Sequence, residues 1–255
     1  MSKRNTQQRR HTIVSIVNEK GQISVEELAE KFSTSLVTIR KDLTLLENDG
    51  LLLRRYGGAI PIPKELIESS LENQISDQKI AIGKLAATKI RDYNRIIIDS
   101  GTTTQMLIPE LESKSNLVVM TNSLSLANKI NELEHSPMLL MTGGTWDPHS
   151  EAFQGKVAEQ VLRSYDFDQL FIGADGIDLE RGSTTFNELM GLSQVMADVA
   201  REIIVVVESE KIGRRIPNLE LPWSSIDCVV TDSGIAPEFK EKIESYGVEV
   251  ICAYS

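Results

Sequence analysis

Before residue 50 the apolar positions recur at helical spacing. Ile13, Ile16 and Val17 fall at i, i+3 and i+4 behind a polar, basic start. Val25, Leu28, Ala29 and Phe32 follow at i, i+3, i+4 and i+7, and Ser24 with Glu27 three residues on reads as a capping box opening that second helix. A polar turn, Ser33-Thr34-Ser35, leads to a third helix with Ile39, Leu43 and Leu46 inward and Gly50 in the C′ position. Helix, short turn, helix in this register predicts a helix-turn-helix. The period then changes to an extended run, Leu51 to Arg55, followed by Tyr56-Gly57-Gly58 and Ala59-Ile60. That pattern predicts a small hairpin, a wing beside the third helix.

The outward positions of the third helix are Val37, Thr38, Arg40, Lys41 and Thr44. Arginine and lysine neutralise phosphates or reach guanine edges, while Thr or Val can touch a thymine methyl. With Ser35 at the turn and Arg54, Arg55 and Tyr56 in the hairpin, these are the candidate contacts to double-stranded DNA. A solvated helix face beside an unrelated hairpin would look the same, and the pattern alone leaves that reading open.

Pro61 and Pro63 interrupt the chain just after the wing, which places a linker near 59–72 between domains at 1–58 and 73–255. The second part alternates: helix 73–91, strand 95–99, helix 103–112, strand 117–121, helix 123–134, strand 138–142, helix 153–164, strand 169–173. It continues with helix 187–200, strands 203–208 and 226–231, helix 237–246 and strand 248–252. Short continuous apolar runs such as Ile96-Ile97-Ile98 suit strands covered by helices on both faces. The order predicts an α/β domain built on a parallel sheet.

Ligands of such sheets bind beyond the carboxyl ends of the strands. Those ends carry Asp99-Ser100-Gly101-Thr102-Thr103-Thr104, then Thr121-Asn122-Ser123 and Thr142-Gly143-Gly144-Thr145. Further on stand Gly173-Ala174-Asp175-Gly176, Thr184 to Glu188 with Asn187, and Lys211. A glycine turn with exposed N–H groups, a helix N-terminus and hydroxyls suits a phosphate. Each piece alone is also an ordinary cap or turn; their recurrence along one edge favours a phosphorylated polyol.

Composition sharpens this picture through its distribution. The net charge of −10 argues against a general nucleic-acid binder. Residues 1–60, however, hold ten Lys/Arg against seven Asp/Glu, a surplus of +3, and the rest of the chain carries −13. A basic reader on an acidic body is implied. Cys228 and Cys252 have no metal-ligand spacing and are expected to be reduced and buried. No apolar leader opens the chain and the run Ile203 to Val207 is far too short to span a membrane, so a cytoplasmic protein without a membrane partner is expected.

Arg9-x3-Ile13-x3-Val17, the run Ser35-x2-Thr38-Ile39-Arg40-Lys41-Asp42-Leu43-x2-Leu46, and Gly50 through Ala59 together resemble the DNA-binding signature of the DeoR family of bacterial sugar-catabolism repressors. The body is similar to that family's effector domain, related to ribose-5-phosphate isomerase and glucosamine-6-phosphate deaminase. The resemblance implies that the loop Asp99 to Thr103 binds a sugar phosphate. It implies that Gly173 to Asp178, Asn187, Glu188 and Lys211 line the same pocket. Where the family has Asp-Ser-Ser-Lys, this chain has Glu208-Ser209-Glu210-Lys211, which adds negative charge. The run Phe167 to Glu188 resembles the hexitol branch, that of glucitol (sorbitol) operon repressors, with amino-sugar regulators next.

Asp175, Glu188 and Lys211 could serve proton transfer in a sugar-phosphate isomerase. An attached DNA-binding module weighs against catalysis, and His11, His135 and His149 form no triad. No Gly-x-Gly-x-x-Gly follows a strand, which disfavours a dinucleotide. The expectation is a transcriptional repressor, not an enzyme, with no cofactor or metal. It would bind a double-stranded operator as a homo-oligomer, dimer or tetramer, and respond to a phosphorylated sugar or hexitol.

Overall fold

The computed structural model describes residues 3–48, 51–55, 57–60, 75–148, 150–187 and 191–254. Gly50, Tyr56, His149, Glu188 and residues 61–72 of the expected linker lie outside the described residues, as do the side chains of His11 and Arg55. The chain divides into two units, the second beginning at Ile75.

The first unit runs α1 (Lys3–Lys20), β1 (Ile23–Ser24), α2 (Val25–Lys31), α3 (Leu36–Asn48), β2 (Leu53–Arg55) and β3 (Gly58–Ile60). The capping box is present: Ser24 Oγ accepts from the Glu27 N–H, and the Glu27 carboxylate accepts from the Ser24 N–H at 2.9 Å. Ile13, Val17, Leu28, Ile39 and Leu43 meet in a fully buried core that Leu52 and Ala59 of the wing close from below. The hairpin is joined by β1 into an antiparallel sheet of order β1-β3-β2, a strand too short to show in the sequence pattern. A Cβ at Gly58 would overlap the Ile23 carbonyl, so this close approach requires glycine. Because β3 pairs through Ile60, the first unit extends past the expected edge at residue 58.

One buried residue on the inward face of α3 is polar. Asp42, 2% exposed, accepts from Arg9 Nε at 2.7 Å on one oxygen and from Arg10 Nε at 2.8 Å on the other. Two guanidiniums from α1 thus neutralise one buried carboxylate from α3, Arg9 largely buried and Arg10 reaching in from the surface.

The second unit carries a seven-stranded parallel sheet of order β15-β14-β12-β9-β4-β5-β6. In chain order its elements are α4 (Asp77–Ala87), β4 (Arg95–Ile98), β5 (Val118–Thr121), α5 (Leu124–Asn131) and β6 (Met138–Met141). There follow β7 (Thr145–Asp147), β8 (Ala152–Gln154), α6 (Lys156–Leu162), β9 (Phe167–Ile172), β10 (Gly176–Asp178), β11 (Gly182–Thr185) and α7 (Gly191–Asp198). The remainder is β12 (Ala200–Val206), β13 (Asn218–Pro222), β14 (Cys228–Asp232), α8 (Pro237–Glu244) and β15 (Glu249–Ala253). Alternate strand residues feed two cores: Ile97, Leu170 and Val205 on one face, Ile96, Ile98, Phe171, Ile204 and Val206 on the other. The strands therefore read as continuous apolar runs.

Two expectations fail locally. The helix expected over 103–112 is a 3-10 helix, Thr104–Ser113, with Pro109 inside it; proline lacks the N–H an α-helical ladder needs there. The helix expected to start at 153 is preceded by β8, which pairs with β7 in a hairpin whose Trp146 and Phe153 rings meet edge to face. A second antiparallel sheet, β10-β11-β13, was not anticipated. Cys228 is buried as expected, whereas Cys252 is only half-buried.

The Asp42 contact generates a test. Asp42→Asn leaves two arginines facing a neutral amide, and breaking a buried pair of this kind costs about 3 kcal/mol or more. Amide exchange in α1 and α3 should accelerate accordingly; protection equal to wild type would show that the pair carries little.

Candidate functional site

The first candidate site is the outer face of α3. Ser35 Oγ accepts from the Thr38 N–H at 3.2 Å and so caps the helix rather than standing free for DNA. Val37 is 72% exposed, and Arg40 and Lys41 are exposed with no ion-pair partner among the described residues. Val37, Arg40, Lys41 and Thr44 follow one another at i, i+3, i+4 and i+7, so they share a face opposite Ile39, Leu43 and Leu46. Thr44 donates its hydroxyl to the Arg40 carbonyl at 2.9 Å and accepts from Arg54 Nη1 at 2.7 Å. The Arg54 N–H also bonds Glu47 at 2.9 Å, so the wing is fastened to α3 at two points.

The second site lies at the carboxyl edge of the parallel sheet. The chain enters at β4, fills one flank with β5 and β6, and returns to the other side of β4 with β9. Between β4 and β9 the order reverses, and a crevice opens at such a switch point. Asp99 follows β4 there, and Gly173 to Asp175 follow β9. Asn122, after β5, donates Nδ2 to Asp99 at 2.7 Å and accepts the Ser100 N–H at 3.0 Å, tying the loops of two strands. Asp175 accepts from the Thr185 hydroxyl at 2.8 Å and the Phe186 N–H at 3.1 Å.

The predicted residues separate into exposed or half-buried ones and those spent on bracing the loops. Gly101, Gly144 and Asp175 are exposed, and Thr102, Gly143, Asn187 and Lys211 are half-buried. Gly101 holds φ at +153°, where a side chain is disfavoured. Thr104 is fully buried, its hydroxyl spent on the carbonyls of Asp99 and Gly101. Thr121 accepts from the Ser123 N–H, and Ser123 caps α5. Thr103, 8% exposed, precedes a 3-10 helix rather than an α-helix, so the expected α-helix N-terminus is absent at this loop. Asp178 pairs at the β10–β11 turn with Arg181 at 2.7 Å and with Arg215 at 3.5 Å.

Two buried groups escaped the sequence reading. Lys79, 1% exposed, sits one turn inside α4, 3.6 Å from Glu208, which also accepts the Ser76 hydroxyl at 2.7 Å. The added negative charge before Lys211 is therefore balanced in part from α4. A lysine at i with Ile82, Gly83, Ala86 and Ala87 on the same buried stripe was the available signal. The other is Glu220 of β13, 8% exposed, which accepts the Ser193 hydroxyl at 2.8 Å. Flanked by Leu219 and Leu221 in a three-stranded antiparallel sheet, it gave no sign of burial.

Burial pushes Asp99 up to about 6, with Asp175 adding to the rise against the hydrogen bonds from Asn122 and Ser100. Burial likewise pushes Glu220 up to about 8, and the charge of Asp99 adds to it. Among the described residues no group of three His, Cys, Asp or Glu is placed to hold a metal. Two open clefts of about 360 and 320 Å³ lie at the opposite edge, lined in part by Asn94, Arg95, Phe167 and Asp168 where β4 and β9 begin. They share no residue with the strand-end loops, whose hydroxyls, amides and backbone N–H groups fit the chemistry better.

Family models match both units: a DeoR-like helix-turn-helix domain over residues 9–65 and a DeoR C-terminal sensor domain over 74–233. The chain belongs to the DeoR family; it is a DNA-binding regulator built on an α/β sensor, and not an enzyme. It is 38% identical to a "Putative aga operon transcriptional repressor" of Escherichia coli O157:H7, over 96% of this chain and 93% of that one. It is 33% identical to the "HTH-type transcriptional regulator GlpR" of Haloferax volcanii, over 96% of each. Among solved structures, ribose 5-phosphate isomerase A of Methanocaldococcus jannaschii aligns with 52% of this chain and 53% of its own, at 18% identity and a TM-score of 0.39. Among the described residues no helix is long and apolar enough to cross a membrane.

The raised carboxyl makes the stability of the second unit depend on pH. An unfolded Glu220 ionises near its ordinary 4.5, while the folded group holds its proton to about 8. Its contribution to stability is complete below 4.5, falls as pH rises to about 8, and is level beyond. Glu220→Gln should flatten that fall and, above pH 8, raise the unfolding free energy measured in urea by about a few kcal/mol at most. Parallel pH profiles for variant and wild type would refute this assignment.

Proposed function

We propose that the chain is a repressor of a carbohydrate or hexitol catabolic operon, released from its operator by a phosphorylated sugar or sugar alcohol. The observation that carries the DNA half is the exposed Arg40–Lys41 face of α3, with no ion-pair partner among the described residues, on a module whose wing is fastened to it. The pocket half is supported by the Gly101 loop at the switch point, whose backbone N–H groups and Thr102 suit phosphate oxygens. Glucitol 6-phosphate is the first candidate, from the resemblance over Phe167 to Glu188; a phosphorylated amino sugar is the second.

Mechanism follows from linkage. If inducer and operator each favour a different arrangement of the chain, a coupling of about 1–3 kcal/mol changes operator affinity some 5- to 150-fold, and operator changes inducer affinity by the same factor. Two half-sites about one helical turn apart require a homo-oligomer, dimer or tetramer. The net negative charge of the second unit repels the DNA backbone and so confines operator contact to the basic module.

Arg40→Ala should abolish or strongly weaken operator binding in a gel-shift titration while the melting profile stays that of wild type. An unchanged footprint would remove α3 as the reading element. Gly101→Ala with Thr103→Ala should keep operator binding and lose release by the sugar phosphate; normal release would remove the phosphate loop. Thermal shifts against sugar and hexitol phosphates identify the ligand, since one that binds only the native state raises its stability.

A further inference from the structure

The seven-stranded sheet ends on one side at β6, and among the described residues no strand pairs with its outer edge. The bonds to β5 fix which backbone groups that edge presents. The Met138 N–H donates to the Leu117 carbonyl at 3.0 Å and the Thr142 N–H to the Thr121 carbonyl at 3.2 Å, so Met138, Leu140 and Thr142 turn their peptide groups inward. By alternation the N–H and C=O groups of Leu139 and Met141 point outward. Natural edges are commonly blunted by charge, proline, a bulge or a covering segment. β6 itself reads Met-Leu-Leu-Met, and residues 136–146 hold no Asp, Glu, Lys or Arg, although the chain beyond residue 60 carries −13. The opposite edge strand, β15, opens instead on an exposed charge, Glu249. Leu139 packs against one core of the sheet and Leu140 against the other, and both are only half-buried, so the two cores run out unfinished at this edge.

We propose that β6 is the seam between copies of this chain: two β6 strands pair antiparallel across a two-fold axis at Leu140 and join two sheets into one. The inference rests on the homo-oligomer reading and gives that oligomer its surface. Leu139 of one copy then lies opposite Met141 of the other. Both present outward groups, so each such pair exchanges two N–H···O bonds, and the two-fold axis makes the pair twice. Residues directly opposite share a face, so Leu140 meets its own copy and each core continues across the axis. The uncharged run lets two acidic bodies approach where neither brings a charge to the contact. A standard interface of about 1,600 Å² needs more than one strand. Met138 of β6, 65% exposed, Leu124 of the helix packed on β5 and β6, 49% exposed, and Trp146 of the hairpin that follows, 43% exposed, offer further apolar surface.

The test is cross-linking and sedimentation of the full chain. Leu140→Cys, mildly oxidised, should run as a covalent dimer on a non-reducing gel, because opposed Cα atoms of a non-hydrogen-bonded pair stand about 4.5 Å apart, within disulfide reach. Leu139→Cys lies about 7–8 Å from its own copy and should stay uncross-linked, as should wild type with Cys228 and Cys252. Met141→Pro removes an outward N–H and no bond to β5, and should weaken self-association about tenfold or more with the far-UV dichroism unchanged. An oligomeric wild type whose Leu140→Cys variant does not cross-link, or whose Leu139→Cys variant cross-links equally, overturns the seam and leaves the homo-oligomer standing. A wild type that sediments as a monomer at micromolar concentration overturns both. If Met141→Pro fails to fold, the two cysteine variants decide the matter.

Discussion

A parallel sheet imposes one constraint from which the sensor unit follows: every strand must be entered at the same end, so every outgoing loop gathers at the other. Here the chain begins in the interior, at β4, and lays down one flank before the other. The loops after β4 and β9 consequently diverge, one toward β5 and one toward the small antiparallel sheet. Asp99 and Asn122 meet beside the gap as a result of strand order and not of local sequence. The covering helices dry both faces of the sheet, and burial at its carboxyl edge is also why Asp99 holds its proton unusually well.

In the first unit the governing contact is between charges. Two of the basic residues that make residues 1–60 cationic, Arg9 and Arg10, are turned inward to Asp42. The surplus that suggested a nucleic-acid partner is thus partly structural, and the cations left for phosphates are fewer than composition implies. Arg40 and Lys41 stand on the far side of the helix that carries Asp42, so one short segment both anchors α3 and presents it.

The helix-turn-helix was legible because its signals are local and redundant: apolar spacing, a capping box and a polar turn each point the same way. The parallel strands were legible because burial on both faces leaves uninterrupted runs such as Ile96 to Ile98. What stayed hidden depends on distant partners. The pairing of β1 with β3 is a two-residue contact, and β13 finds β11 across more than thirty residues. Glu220 belongs to that class, as does the role of Thr104, which looked like a ligand hydroxyl and is a loop brace. Lys79 was readable in principle, since a lysine on an apolar stripe asks for a buried acid.

The link between Thr44 and Arg54 has a consequence for how DNA is met. A free arginine side chain loses much of its rotamer freedom when a phosphate or base fixes it, and that loss subtracts from affinity. Arg54 is already held by a hydroxyl on the recognition helix, and its own N–H by Glu47. Its disorder has been removed at the folding step, so association with the double helix finds the wing and α3 as a single preshaped body. Discrimination between operators then falls to fit rather than to adjustment.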